Sequence, residues 1–86
     1  MREASAIAMG TSPLRRRQAA KPKPTAREIE VLRWVANGKS AWEIGEILQI
    51  TKRTVDEHVQ AAVRKLGATN RTHAVALALR DGLIKL

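Results

Sequence analysis

Residues 51–66 read TKRTVDEHVQAAVRKL, a run whose side-chain types can recognise a nucleic acid. At helical spacing Val55, Val59, Ala62 and Leu66 share one apolar face, while Asp56, Glu57, Gln60, Ala61 and Arg64 recur three and four apart on the outward one. The Gln60 amide can pair bidentately with adenine, and an Asp56 or Glu57 carboxylate can accept from a cytosine amine. The Ala61 methyl suits a thymine methyl, and the Arg64 guanidinium suits guanine or a phosphate. Two acids on such a surface also repel phosphates. A second reading of Asp56 and Glu57 therefore stands beside the first: i,i+4 ion pairing or compensation of the helix dipole.

Phosphate contacts position a protein without reading sequence. Thr51, Lys52, Arg53 and Thr54 stand at the start of this helix, where free amides and the dipole favour an anion. Lys39, Ser40, Lys65, Arg71 and Thr72 can hold flanking strands. For any one of these the alternative is a merely solvated side chain.

Other chemistries lack residues. Glu28 and Glu43 resemble an acid/base pair but occupy the third position of the capping boxes Thr25-Ala26-Arg27-Glu28 and Ser40-Ala41-Trp42-Glu43. No Ser/His/Asp arrangement or phosphate loop is visible, and no enzyme activity or cofactor is expected. Cysteine is absent and His58 and His73 are the only histidines, so no metal site is expected. His58 precedes Val59 and is expected as a neutral imidazole bonded to a backbone group or a phosphate. Trp34 is expected in the core. Trp42 is expected to pack over the core edge, with an indole N–H to phosphate as the alternative. With no Phe or Tyr, a stacking platform for single strands is not expected.

The chain carries 16 Lys+Arg against 8 Asp+Glu, a net charge of +8, which points to a polyanionic partner. Residues 1–24 hold six basic and one acidic residue, and residues 25–86 hold ten and seven. The headline charge thus describes mainly residues 1–24, which include Arg15-Arg16-Arg17 and Lys21-Pro22-Lys23-Pro24 and are read as a disordered basic linker or arm. A sharper reading makes this arm a minor-groove or phosphate contact. Apolar stretches are too short to span a bilayer or to form a signal-peptide core, so a soluble cytosolic protein is expected, with no membrane partner.

Residues 25–86 pattern as one all-α domain of four helices. The first follows Thr25, with Ile29, Leu32, Val35 and Ala36 in register, and stops at Gly38. The second follows Ser40 with a stripe of Ile44, Ile47 and Leu48. Gly45 in its middle costs about 1 kcal/mol against Ala, which a close helix–helix approach would explain. The third is the 51–66 helix, closed by Gly67. The fourth starts at Asn70 and runs through Val75, Ala78 and Leu79 to Gly82, after which Leu83, Ile84 and Leu86 can fold back on the core. A short second helix and tight turn before the third suggest a helix-turn-helix that reads DNA.

The ordered set Thr25, Glu28, Leu32, Gly38, Glu43-Ile44, Ile47-Leu48, Thr54-Val55, His58, Lys65-Leu66 and Arg71-Thr72 resembles the DNA-binding domain of LuxR-type transcription regulators. Leu32-Arg33-Trp34, Ser40-Ala41-Trp42-Glu43 and Thr69-Asn70-Arg71-Thr72 resemble its acyl-homoserine-lactone, quorum-sensing branch. The resemblance implies a compact four-helix domain of a bacterial regulator, acting at the nucleoid by sequence-specific binding to double-stranded DNA. It favours Thr51, Arg53, Thr54, Lys65 and Arg71 as phosphate contacts. It also implies a homodimer on an inverted repeat through the last helix, by Val75, Ala78 or Leu79, and a contact with RNA polymerase. Full-length members carry a sensor domain ahead of this one, and nothing in these residues could bind a lactone. The chain is read as either a fragment or a stand-alone DNA-binding protein. Two alternatives remain: a sensor-less module that sequesters a full-length regulator, and a sigma-factor region-four-like domain, against which residues 70–84 argue because that domain ends with its recognition helix.

Overall fold

The computed structural model describes residues 22–86; the rest of the expected basic arm over 1–24 lies outside the described residues. Four helices follow in order: α1 (Ala26–Ala36), α2 (Ala41–Leu48), α3 (Lys52–Leu66) and α4 (Arg71–Arg80), with no strand among the described residues.

Each helix starts where a side chain satisfies an otherwise orphaned amide. Thr25 Oγ1 accepts from the Glu28 amide (3.1 Å) and Glu28 Oε1 accepts from the Thr25 amide (2.9 Å). Ser40 and Glu43 repeat the exchange at 3.1 and 2.8 Å, which completes both expected capping boxes. Thr51 Oγ1 accepts from the Thr54 amide (3.0 Å). Asn70 Oδ1 accepts from the His73 amide (2.9 Å), while His73 Nδ1 accepts from the Thr69 amide (3.0 Å). His73 thus reaches back from the third helical position as Glu28 and Glu43 do, but to the residue before the cap instead of the cap itself.

Burial divides into two clusters that meet on α3. Val31, Ala41, Ile44, Val55 and Val59 form one, joining α1 and α2 to the first half of α3. Leu32, Ala62, Ala74, Ala78 and Ile84 form the other, joining α1, α4 and the tail to its second half. Full burial of a valine or leucine stabilises by about 1.5–3 kcal/mol, so the inward stripe of α3 anchors it against every other helix. Ile84 folds back as expected, but Leu86 stays 81% exposed. Ile47 also departs from its expected stripe and is exposed, because an eight-residue helix with one buried side seats Ile44 and half-buries Leu48 but turns the position between them, Ile47, outward.

The link from α2 to α3 is tight. Gln49 caps α2 in the left-handed region (φ 61°), and the Ile50 amide donates back to the Gly45 carbonyl at 2.9 Å. The bend brings the Ile50 carbonyl so near that a Cβ on Gly45 would sit 2.7 Å from its oxygen. Gly45 is therefore explained first by the returning turn, with the start of α3 next, where the Lys52 amide nitrogen would lie 3.5 Å from the same Cβ. At the other end of the domain, residues 22–24 run beside Ile29, Leu66, Asp81 and Leu83, lining a shallow groove with them.

Candidate nucleic-acid interface

The inward stripe orients α3, so the opposite side of the helix is presented to solvent. Arg53, Asp56, Glu57, Gln60 and Arg64 line one shallow open groove along that surface. Arg53 belongs also to a second groove, shared with Trp42, Glu46, Ile50, Thr51 and Lys52, which runs over the turn. Gln60 and Arg64 are exposed, and Ala61 is half-buried at the margin. Lys39 and Ser40 before α2, and Arg71 and Thr72 opening α4, are exposed but outside both grooves. Ser40 Oγ is engaged by the Glu43 amide, and the hydroxyls of Thr51 and Thr54 bond each other at 2.9 Å.

Both acids on this surface are paired. Lys52 Nζ meets Asp56 Oδ2 at 2.8 Å, and Arg53 Nε lies 3.6 Å from Glu57 Oε2. Of the two readings open for Asp56 and Glu57, i,i+4 pairing is the one these contacts display.

Lys65 is placed differently from the other basic residues. Its ammonium donates to Glu28 Oε1 at 2.9 Å and Oε2 at 3.2 Å, joining the last turn of α3 to the first turn of α1. Glu28 is buried, 6% exposed. Burial pushes its carboxyl upward, but the Thr25 amide, the hydrogen bonds and charge of Lys65, and least of all the charge of His58, outweigh it and hold the pKa below its ordinary value. Glu43 is also held down, by the Ser40 amide first and then the Ser40 hydroxyl. With two donors engaged by a buried carboxylate, Lys65 is a tie between helices before it is a phosphate contact. The 37-residue separation of the pair hid it from periodicity; the one available signal was an acid at a buried cap position.

Two further expectations need correction. Trp42 does not pack over the core edge: it is 69% exposed, because Ala41 and Ile44 take the buried positions of that turn. Ala78 is fully buried in the second cluster, so it cannot lie on a surface shared with another copy. Val75 and Leu79 are half-buried against the same cluster. Trp34 does pack against the first cluster, partly buried. Among the described residues no group of His, Asp or Glu is arranged to hold a metal, and no helix is long and apolar enough to cross a membrane.

A short helix, a tight turn and a longer helix with an exposed polar groove define a helix-turn-helix domain. The family described as bacterial regulatory proteins, luxR family, matches residues 25–78. The chain belongs to this family, and its four helices form the family's helix-turn-helix DNA-binding domain. It is 67% identical over 60 residues to the transcriptional activator protein BjaR1 of Bradyrhizobium diazoefficiens, across 70% of this chain and 25% of that protein. It is 55% identical over 78 residues to the HTH-type quorum sensing-dependent transcriptional regulator RpaR of Rhodopseudomonas palustris, across 84% of this chain and 32% of that one. The chain thus spans a quarter to a third of these curated relatives. In three dimensions it is similar to the transcription factor GerE, with a TM-score of 0.69 and 31% identity over 71% of this chain and 91% of that chain. It is also similar to part of the Vibrio cholera VqmA–ligand–DNA complex, with a TM-score of 0.66 and 31% identity over 81% and 31%. This is a family of transcription regulators, not of enzymes.

Proposed function

We propose that this domain regulates transcription by seating α3 in the major groove of a specific duplex site. Gln60 and Arg64 address base edges, with Ala61 toward a thymine methyl. Thr51, Lys52, Arg53 and Thr54 at the start of α3 grip phosphates, flanked by Lys39 and Ser40 before α2 and by Arg71 and Thr72 on α4. Asp56 and Glu57 serve as ion-pair partners of Lys52 and Arg53. One observation carries the reading: α3 buries Val55, Val59 and Ala62 while Arg53, Gln60 and Arg64 line an open groove on its other side. Two copies on an inverted repeat would set their α3 helices about 34 Å apart, with Val75 and Leu79 as the α4 side chains left for the contact. The activators among the relatives support activation, through RNA polymerase at the adjoining promoter.

Selection from randomised duplexes, followed by gel shift, tests this. Gln60→Ala is expected to relax preference at one base pair per half-site and to cost about 1–3 kcal/mol on the preferred site. Arg53→Ala is expected to weaken preferred and unrelated duplexes alike. The wild-type complex should hold two domains per site and lose about a thousandfold in affinity between about 50 and 200 mM salt if some six phosphates are neutralised. Unchanged binding in both variants would remove α3 as the reading element.

A further inference from the structure

The order of charges at the start of α3 is the reverse of what helix stability favours. A helix N-terminus is the positive end, where acids stabilise, and i,i+4 pairs are most favourable with the acid first. The same chain places an acid at that end twice, with Glu28 in the first turn of α1 and Glu43 in the first turn of α2, although α1 also carries a base-first pair, Arg27–Glu30. α3, like α4, has no acid in its first turn. It opens instead with Lys52 and Arg53, and their carboxylates arrive one turn later as Asp56 and Glu57. Cations crowded at the positive end of a helix are suited to an incoming anion. Carboxylates one turn on then compete with that anion for the same two cations, and repel it as it approaches.

We infer that Asp56 and Glu57 are a sequence-independent brake on phosphate binding by Lys52 and Arg53, an inference that rests on the DNA-reading role proposed above. A phosphate must share each cation with a carboxylate, or displace it, before it is held. The binding lost in this way is the same on every duplex. Only a site that also satisfies Gln60 and Arg64 makes up the difference, so unrelated DNA is released first. The side chains of both pairs are 44–88% exposed, which keeps each pair weak and exchangeable. Exposed pairs of this kind change affinity by about 2- to 5-fold each. Lys52–Asp56, at hydrogen-bond distance, holds more firmly than Arg53–Glu57 at 3.6 Å.

The experiment uses the whole chain, a labelled duplex pool of randomised sequence and the preferred site selected from it, titrated at fixed salt. Asp56→Asn with Glu57→Gln should tighten binding to both probes by the same factor, about 10-fold, with Asp56→Asn giving the larger part. On an Arg53→Ala background the gain from Glu57→Gln should shrink, because only its repulsion of the phosphates is then removed and no cation is released. Thermal unfolding by circular dichroism checks that the exposed amides leave the fold intact. Unchanged affinities would make the pairs inert and overturn the inference. Weaker binding to the preferred site, or lost preference at one base pair, would make the acids base readers and overturn it. A Glu57→Gln gain of the same size without Arg53 would do the same. If the wild-type chain holds no duplex at any salt, the DNA-reading role itself fails, a result distinct from a wild type that binds and variants that do not differ.

Discussion

Gly45→Ala should destabilise the domain by about 2 kcal/mol, read as a shift in the urea midpoint. Two effects oppose each other. Alanine gains about 1 kcal/mol of helix propensity in the interior of α2. The new methyl would also lie 2.7 Å from the Ile50 carbonyl oxygen. Overpacking of a tight site costs about 1–3 kcal/mol, and here the upper end or more applies, because the obstacle is backbone and not a side-chain tip. The same carbonyl belongs to the turn whose Ile50 amide bonds Gly45 at 2.9 Å, so the clash cannot be relieved without stretching that bond. A domain of this size has total stability of about 3–10 kcal/mol, so the loss is a large fraction. Any relief moves α2 relative to α3, so duplex binding should fall even where the protein remains folded. A larger side chain at this position should do worse, and a variant as stable as wild type would show that the turn yields.

Lys65→Met should cost about 2–3 kcal/mol near neutral pH, with most of the loss coming from the carboxylate left behind. Glu28 keeps the Thr25 amide as a donor but loses both bonds to Lys65. A buried charge stripped of its partner is more costly than the pair was favourable. Replacing both, as Glu28→Gln with Lys65→Met, should therefore recover part of the loss. The pH dependence has a definite sign. The folded carboxyl lies below its ordinary value of 4.5, so its stabilisation is present in full above that value and disappears as pH falls through the lower folded value. Wild type should lose urea resistance below about pH 4.5, and Lys65→Met should show a shallower loss there. The gap between the two proteins should accordingly be widest above pH 4.5 and close in acid. A gap independent of pH would separate Lys65 from the titration of Glu28.

Features whose partners are near in sequence were legible before the structure. Both capping boxes join residues three apart, and the apolar period of 51–66 decides which side of α3 turns inward. The i,i+4 spacing of Lys52–Asp56 and Arg53–Glu57 was equally open to reading, although spacing alone could not choose between an ion pair and a base contact. What escaped depends on distant packing. Glu28 meets Lys65 across 37 residues, Gly45 is required by the path of a turn, and Gln49 takes a left-handed conformation without the usual Gly or Asn to mark it. Trp42 and Ala78 were misplaced for one reason: a residue's apolar character does not say which side of a short helix faces the core. In α2 that side belongs to Ala41 and Ile44, and in α4 to Ala74 and Ala78, so a small residue was buried where larger neighbours were only half covered.

Residues 22–24 lie beside Asp81 and Leu83, at the last turn of α3 and about 20 Å along that helix from Lys52. The polypeptide therefore enters the folded unit beside the end of α4, at the opposite tip of α3 from Lys52 and Arg53. The cationic tip of the reading helix is thus left clear of the incoming backbone.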